Sequence, residues 1–414
     1  MMVRRVNHWA LVAALALLLA SARDVAAQAN VGAGPMTSAL PETEPTTGVI
    51  DLGLLRMAPG LAIPELGWDS NVFQEEENPQ EDYVAAIVPD ISAFTRLRLL
   101  KFAGYAGADL RYYSTHESER STGYMTRGRV DLLLSRFRPF FGGGRNDVRM
   151  RPNGEIDVRA NRIETELSGG IAFDVSRYGQ FYGSFSHYNT EYEESVEEGV
   201  PLGPSLNHFN DSYQAGIRSE LTPLTALIVS GSYFEDKFQS LPIRNASGKS
   251  IDGTLRFASD AVITGFVTIS WRVQSPVDPA LREYSGFTGR AGIVYPFLDV
   301  GRLSVTFNRG TDYSFRVSDG YYLQNSLSLN YTHRLFGNVD VNVAGSKAVY
   351  DYRFVEALPD RKDDLESAGG GVGYNLPNRT RIAVNYEYSR RRSPEIPERN
   401  FDRRRVYLNW QFVF

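Results

Sequence analysis

The sequence predicts an all-β protein, a transmembrane antiparallel up-and-down β-barrel of about 18 strands with both termini in the periplasm. Three observations predict it. The chain ends in a two-faced strand, with Val406, Leu408, Trp410, Phe412 and Phe414 on one side and Tyr407, Asn409, Gln411 and Val413 on the other, and a period of two is the signature of a strand. The same alternation recurs along the chain in segments of ~11 to 15 residues, longer than the 5 or 6 usual in soluble sheets and sufficient for a tilted membrane strand. The connections also alternate between about eight tight turns and about nine longer polar loops, the pattern of a barrel with short periplasmic turns and long external loops.

The chain opens on a secretory signal. Arg4 and Arg5 form a charged start, Ala10 to Ala20 is an apolar run, and Val25-Ala26-Ala27 offers the small residues of a cleavage site, which places residues 1–27 in a signal peptide. The apolar run is short for a spanning helix. The 414 residues contain no cysteine, which excludes a lipid-anchored cysteine, disulfides and thiolate metal sites. The formal charge is −5, and cleavage removes three arginines and one aspartate, so the mature chain is more acidic and nucleic acid is not its expected partner. Mean hydropathy is negative, as expected when lipid-facing residues occupy only every second position. The 23 tyrosines, 23 phenylalanines and 37 glycines fit aromatic girdles and curved strands.

Residues 28–57, with Pro35, Pro41 and Pro45, read as a flexible periplasmic leader, too short to fold into a globular plug. Residues 58–414 are the barrel. In Thr380 to Arg391, Ile382, Val384, Tyr386 and Tyr388 oppose Arg381, Asn385, Glu387, Ser389 and Arg391. In Arg162 to Val175, Ile163, Thr165, Leu167, Ile171 and Phe173 oppose Arg162, Glu164, Glu166 and Ser168. In Tyr321 to Thr332, Leu323, Leu327, Leu329 and Tyr331 oppose Gln324, Ser326, Ser328, Asn330 and Thr332. Two segments, Pro59–Phe73 and Gly179–Glu193, alternate poorly, so the strand count carries an uncertainty of about two. Gly142–Gly144 and Gly369–Gly371 read as bending points of a closed sheet.

Apolar faces assigned to lipid leave Arg127, Arg129, Asp131, Arg145, Asp147, Arg149, Arg151, Arg162, Glu164 and Glu166 as candidate channel-lining residues. Acids lie among the arginines, so pairing that stiffens the wall is the favoured role, and an arginine track for anionic or hydroxyl-rich solutes is the functional one. Lumen aromatics are Tyr105, Tyr113, Phe266 and Tyr407. The outer loops are acidic, with Glu75-Glu76-Glu77 in the first, and suit solvent or cation bridges to lipopolysaccharide. Ser186 and His187 are adjacent in a strand and face opposite ways, so they form no nucleophilic pair. No cofactor or metal site is implied.

The terminal aromatic strand resembles the C-terminal signal of outer-membrane barrels that the barrel-assembly machinery reads. The stretch Gly67-Trp68-Asp69-Ser70-Asn71-Val72-Phe73, after Pro59-Gly60-Leu61 and followed by Ile87-Val88-Pro89-Asp90-Ile91, resembles the first-strand signature of the type-two family of β-barrel porins. The motif residues are Asp69, Ser70, Asn71, Val72 and Phe73. That resemblance implies an outer-membrane barrel, often encoded among exopolysaccharide-secretion genes, and no catalytic residue. The expected function is export of a polysaccharide across the outer membrane with periplasmic export proteins. The alternatives are a general diffusion porin for small hydrophilic solutes and a non-conducting structural or adhesive barrel.

Overall fold

The computed structural model describes residues 50–413 except 194, 260, 298–299, 353, 356–359 and 377–379. The expected signal peptide, most of the expected leader and Phe414 lie outside the described residues. Eighteen long strands form one antiparallel sheet that closes on itself. They are β1 (Leu55–Asp69), β2 (Asp82–Arg96), β3 (Leu100–Tyr113), β4 (Ser121–Leu132), β5 (Phe137–Met150), β6 (Ala160–Asp174), β7 (Gly179–Glu193), β8 (His208–Thr222) and β9 (Thr225–Phe238). The second half comprises β10 (Ala246–Phe257), β11 (Thr264–Pro276), β12 (Tyr284–Phe297), β13 (Gly301–Tyr313), β14 (Tyr321–Phe336), β15 (Val339–Tyr352), β16 (Arg361–Asn375), β17 (Arg381–Arg392) and β18 (Phe401–Val413). Each strand pairs with its sequence neighbour, and β1 pairs with β18. Closure leaves no sheet edge, the condition for strands to cross a bilayer.

The wall is turned inside out relative to a soluble sandwich. Ile251, Val343, Ile269 and Phe287 are each at least 60% exposed on the outer face. Apolar surface on this scale needs lipid to cover it. The outward face is not apolar throughout. Near the outer rim Lys347 pairs with Glu366 at 2.8 Å, and Glu366 with Arg390 at 2.8 Å, at the level of headgroups rather than acyl chains.

Both weakly alternating segments are strands. In β1 the register slips between Ile63 and Leu66, where Pro64 has no N–H for the ladder. In β7 the outward face changes from Phe181 and Phe185 to His187, Asn189 and Glu191 as the strand rises. At the end of the expected leader, β1 begins at Leu55, and Ile50–Asp51 folds back to pair with Met57 and Arg56. Those residues lack the long alternation by which a strand is read.

The first-strand motif sits at the seam. At Gly67 the two strands leave no room for a side chain; a Cβ there would lie 2.1 Å from the carbonyl oxygen of Val406 on β18. Arg403 donates from Nε to both Asp69 oxygens at 2.9 and 3.0 Å. The backbone N–H of Ser70 donates to Arg404 O, and Ser70 Oγ accepts from Arg404 N. Asn71 Nδ2 donates to Glu75 O at 2.7 Å and Asp402 O at 3.2 Å, Val72 N–H donates to Gln80 O, and Phe73 packs edge-on to His116. The motif thus ties the first strand to the last at the outer rim. Asp69 is 1% exposed, so Asp69→Ala leaves the half-buried Arg403 guanidinium without its carboxylate and is expected to cost about 3 kcal/mol, read as a lower temperature for loss of the compact band in heat-shift electrophoresis. Ser70→Ala removes one hydrogen bond, and about 1 kcal/mol is expected.

Candidate functional site

The lumen is the site, and the loop joining β5 to β6, residues 151–159, is its most informative part. Asn153 Oδ1 accepts the N–H groups of Glu155 at 2.9 Å and Ile156 at 3.1 Å, an Asx turn that tightens the tip. Arg151 Nε donates to Asp157 O at 2.6 Å and its guanidinium also to Val72 O, which holds the two stems together. The loop then crosses to a distant part of the wall. Asn153 Nδ2 donates to Tyr322 OH on β14 at 3.1 Å, and Gly154 N–H donates to Tyr350 OH on β15 at 3.2 Å. Arg391 on β17 donates to Gly154 O at 2.6 Å and to both oxygens of Asp157 at 2.6 Å.

Neighbouring loops close over this tip. Glu155 is 1% exposed; its carboxylate accepts Ser314 Oγ at 2.6 Å and Phe315 N–H at 3.2 Å, while Arg399 donates to its backbone carbonyl. Glu197 accepts the N–H groups of Asp157 and Val158 at 3.1 and 2.8 Å. Leu202 and Leu206, on a short helix, pack with Ile156, Ala160, Tyr192 and Phe315. Arg244, 4% exposed, donates to the carbonyls of Ser205, Ser314 and Gly320. Guanidinium groups suit this task because their fixed fork of donors satisfies several loop carbonyls that would otherwise be buried unpaired. Burial raises the Glu155 carboxyl to about 7, against the opposing pull of Arg399 and its hydrogen-bond donors. Glu197 is raised by burial and by Asp157.

Beneath the cap the wall carries charge. Arg129 donates to Asp131 at 2.8 Å and lies over the Phe140 ring. Arg127 lies over Tyr105. Arg162 pairs with Glu164 at 2.5 Å, and Asn146 Nδ2 donates to Glu164 at 3.3 Å. Glu166 is 2% exposed on the same face as Glu164. Those six candidates share the inner side. The other four do not belong with them. Arg145 and Asp147 stand opposite Thr126 and Tyr124, and Tyr124 is 55% exposed on the outer face. Their expected lumen placement is therefore corrected to the outer surface, where they lie 3.6 Å apart. Arg149 shares their parity and turns at the rim to Glu119, at 2.9 Å; Arg151 lies in the inserted loop. The assignment of apolar residues to lipid failed in β5 because Phe140 and Phe141 compete for the two faces. Gly142–Gly144 carry no side-chain signal, and Val148 is buried on the inner side under the loops.

Sequence reasoning missed a second ladder at the seam. Arg405 bonds Glu387 at 2.7 Å and Glu65 at 3.3 Å, and Glu65 approaches Arg111 at 3.9 Å. The inward parity of Arg405 and Glu387 was readable; the bulge in β1 that brings Glu65 inward was not. Tyr105, Tyr113, Phe266 and Tyr407 take inward positions. His187 accompanies Asp211 on the outer face at 2.6 Å, with Ser186 on the opposite side. Among the described residues no group of three or more His, Cys, Asp or Glu is placed to hold a metal ion. Val406, Leu408, Trp410 and Phe412 line the outer face of β18, with Val406 42% exposed and Trp410 near Phe412.

No curated protein sequence matches the chain. The barrel is similar to the crystal structure of OccK2 (OpdF) from Pseudomonas aeruginosa, at 10% identity over 86% of this chain and 98% of that one, with a TM-score of 0.50. It is also similar to a BenF-like porin from Pseudomonas fluorescens Pf-5, at 10% identity over 86% of this chain and 99% of that one, with a TM-score of 0.48. At this identity the likeness concerns fold alone. The family described as "Putative beta-barrel porin 2" matches residues 57–414, a span that runs from the first strand through the last. With a closed wall, a lipid-facing apolar exterior and a polar, loop-crossed interior, the chain is an integral outer-membrane β-barrel and belongs to that porin family.

Proposed function

We propose that the chain is a diffusion channel for small hydrophilic solutes, with passage limited by the inserted 151–159 loop. The observation that carries this reading is the crossing of that loop above a charged and hydroxyl-lined interior, anchored by Arg391 at Gly154 and Asp157. A small solute needs only the gaps around such a loop. A polysaccharide strand needs the loop and its partners moved aside, so export, with its periplasmic partner proteins, is the less supported reading.

Single-channel recording in a planar bilayer tests the reading, together with swelling of proteoliposomes in neutral solutes of graded size. Discrete conductance steps are expected, with swelling that stops as the solute grows. Silence in both assays across voltage would overturn the channel and return the structural role.

A further inference from the structure

The interior has two unlike walls. The side formed by β3 to β6 bears the charges described above. The side formed by β14 to β18 is neutral at mid-height, and its inward residues fall into rows set by strand register. One row is Asn342, Gly371, Asn385 and Tyr407, each opposite the next on the neighbouring strand. The adjacent row is Ala344, Gly369, Glu387 and Arg405. Ser346 and Ser367 stand opposite each other in a further row and share a hydrogen bond at 2.7 Å.

The small residues in the middle make a hollow between the larger ones. A Cβ at Gly371 would lie 2.3 Å from Asn385 Oδ1 and 3.0 Å from Asn342 Oδ1. This is a reason for the glycine run beyond sheet curvature. The result is a cavity of about 220 Å³ bordered by Ser328, Asn342, Ser367, Asn385, Glu387 and Tyr407 among others. Its one carboxylate is matched by the Arg405 guanidinium 2.7 Å away, so the hollow offers no net charge to a solute.

Three of its buried polar atoms, Asn342 Oδ1, Asn385 Nδ2 and Arg405 Nε, make no hydrogen bond in the protein, although the Arg405 guanidinium is held through its other nitrogens by Glu387 and Glu65. Asn385 is 7% exposed. In other rows of the inner wall paired hydroxyls satisfy one another, as in Ser232 with Ser250 and Thr254 with Thr268, each pair at 2.8 Å. A buried donor and a buried acceptor left open in one row are costly unless something binds there. Together they match a solute with neighbouring hydroxyls, one accepting from Asn385 and one donating to Asn342. Tyr407, at the end of the row, supplies an aromatic surface for the apolar face of a ring.

We propose that this hollow is a binding subsite for a neutral, hydroxyl-rich solute, a single sugar ring. Asn342 and Asn385 hold its hydroxyls, and Tyr407 packs against its ring. The proposal deepens the diffusion-channel reading and rests on it for the solute's access. The subsite gives the channel a saturable preference for neutral sugars over charged solutes of equal size.

The test is calorimetric titration of the detergent-solubilised mature barrel with d-glucose and with d-glucuronate, alongside conductance in salt. Saturable glucose binding is expected, weaker by at least tenfold in Asn385→Leu and in Asn342→Leu. Heat-shift behaviour is expected to be unchanged in both variants, which separates loss of the site from loss of the fold. A barrel that conducts but binds no glucose would overturn the subsite and leave the channel reading intact. One that binds glucose but never conducts would support the subsite and overturn the channel. Undiminished binding in both variants, or tighter binding of glucuronate than of glucose, would also overturn the proposal.

Discussion

Replacing residues 153–157 with a short glycine–serine bridge is expected to raise single-channel conductance severalfold without unfolding the barrel. The wall does not depend on those residues. β5 and β6 pair from Phe137 with Phe173 to Met150 with Ala160, and a shortened connection preserves that hairpin. What disappears is the tip that crosses to Tyr322, Tyr350 and Arg391. Arg391→Ala is the milder form of the same experiment. It leaves the Asp157 carboxylate and the Gly154 carbonyl without their strongest donor in a buried setting, and removing one partner of such a pair costs ~3–5 kcal/mol. That is enough to shift a loop from held to released, and the expected signature is frequent transitions to a larger conductance. Unaltered step size in the loop-shortened barrel would mean that the loop does not lie in the conducting path.

Conductance is also expected to rise as pH is raised from about 4.5 to about 7 and to level off above. The crossing loop buries Glu155, and burial raises its carboxyl from 4.5 to about 7; once released to water the group regains its ordinary value. The held loop therefore binds the proton more tightly than the released loop. Stabilisation of the held state is complete below 4.5 and is lost as pH climbs through 7, a change of ~3 kcal/mol. Several charged groups face this carboxylate: Arg399 from the last outer loop, which pairs with Asp363, Arg361 from β16 at 4.0 Å, and Asp319, which pairs with Arg361. Glu197, also raised, shifts the loop in the same direction. Glu155→Gln keeps an acceptor for Ser314 but has no proton to lose, so it is expected to stay in the low-conductance form across the range. A flat profile in the wild-type barrel, or one that falls with rising pH, would disconnect Glu155 from the loop's position.

The wall of this protein was legible in the sequence because a membrane barrel writes its geometry residue by residue. Lipid takes every second side chain, so Ile382, Val384 and Tyr386, or Leu327, Leu329 and Tyr331, announce a strand and its outer face together. Turns and loops differ in length and polarity, and that was enough to order the strands and count them. The rule lost its footing where local chemistry stopped distinguishing the faces. Pro64 shifted the register of β1, the headgroup-level half of β7 turned polar, and the Phe140-Phe141 pair with its following glycines hid the true parity of Arg145 and Asp147.

The interior was decided by tertiary structure. Asn153-Gly154-Glu155-Ile156-Asp157 reads as an ordinary polar loop, and nothing local marks Glu155 as a buried carboxylate. Its partners, Ser314, Arg391 and Arg399, are brought to it only because the sheet closes into a ring and the loop folds across the space enclosed. The neutral hollow at Asn342, Gly371, Asn385 and Tyr407 arises in the same way, from register across four strands. The physical reason is range. Alternation and turn chemistry act between near neighbours in sequence, whereas the inserted loop and the hollow depend on groups that meet only after the barrel has closed.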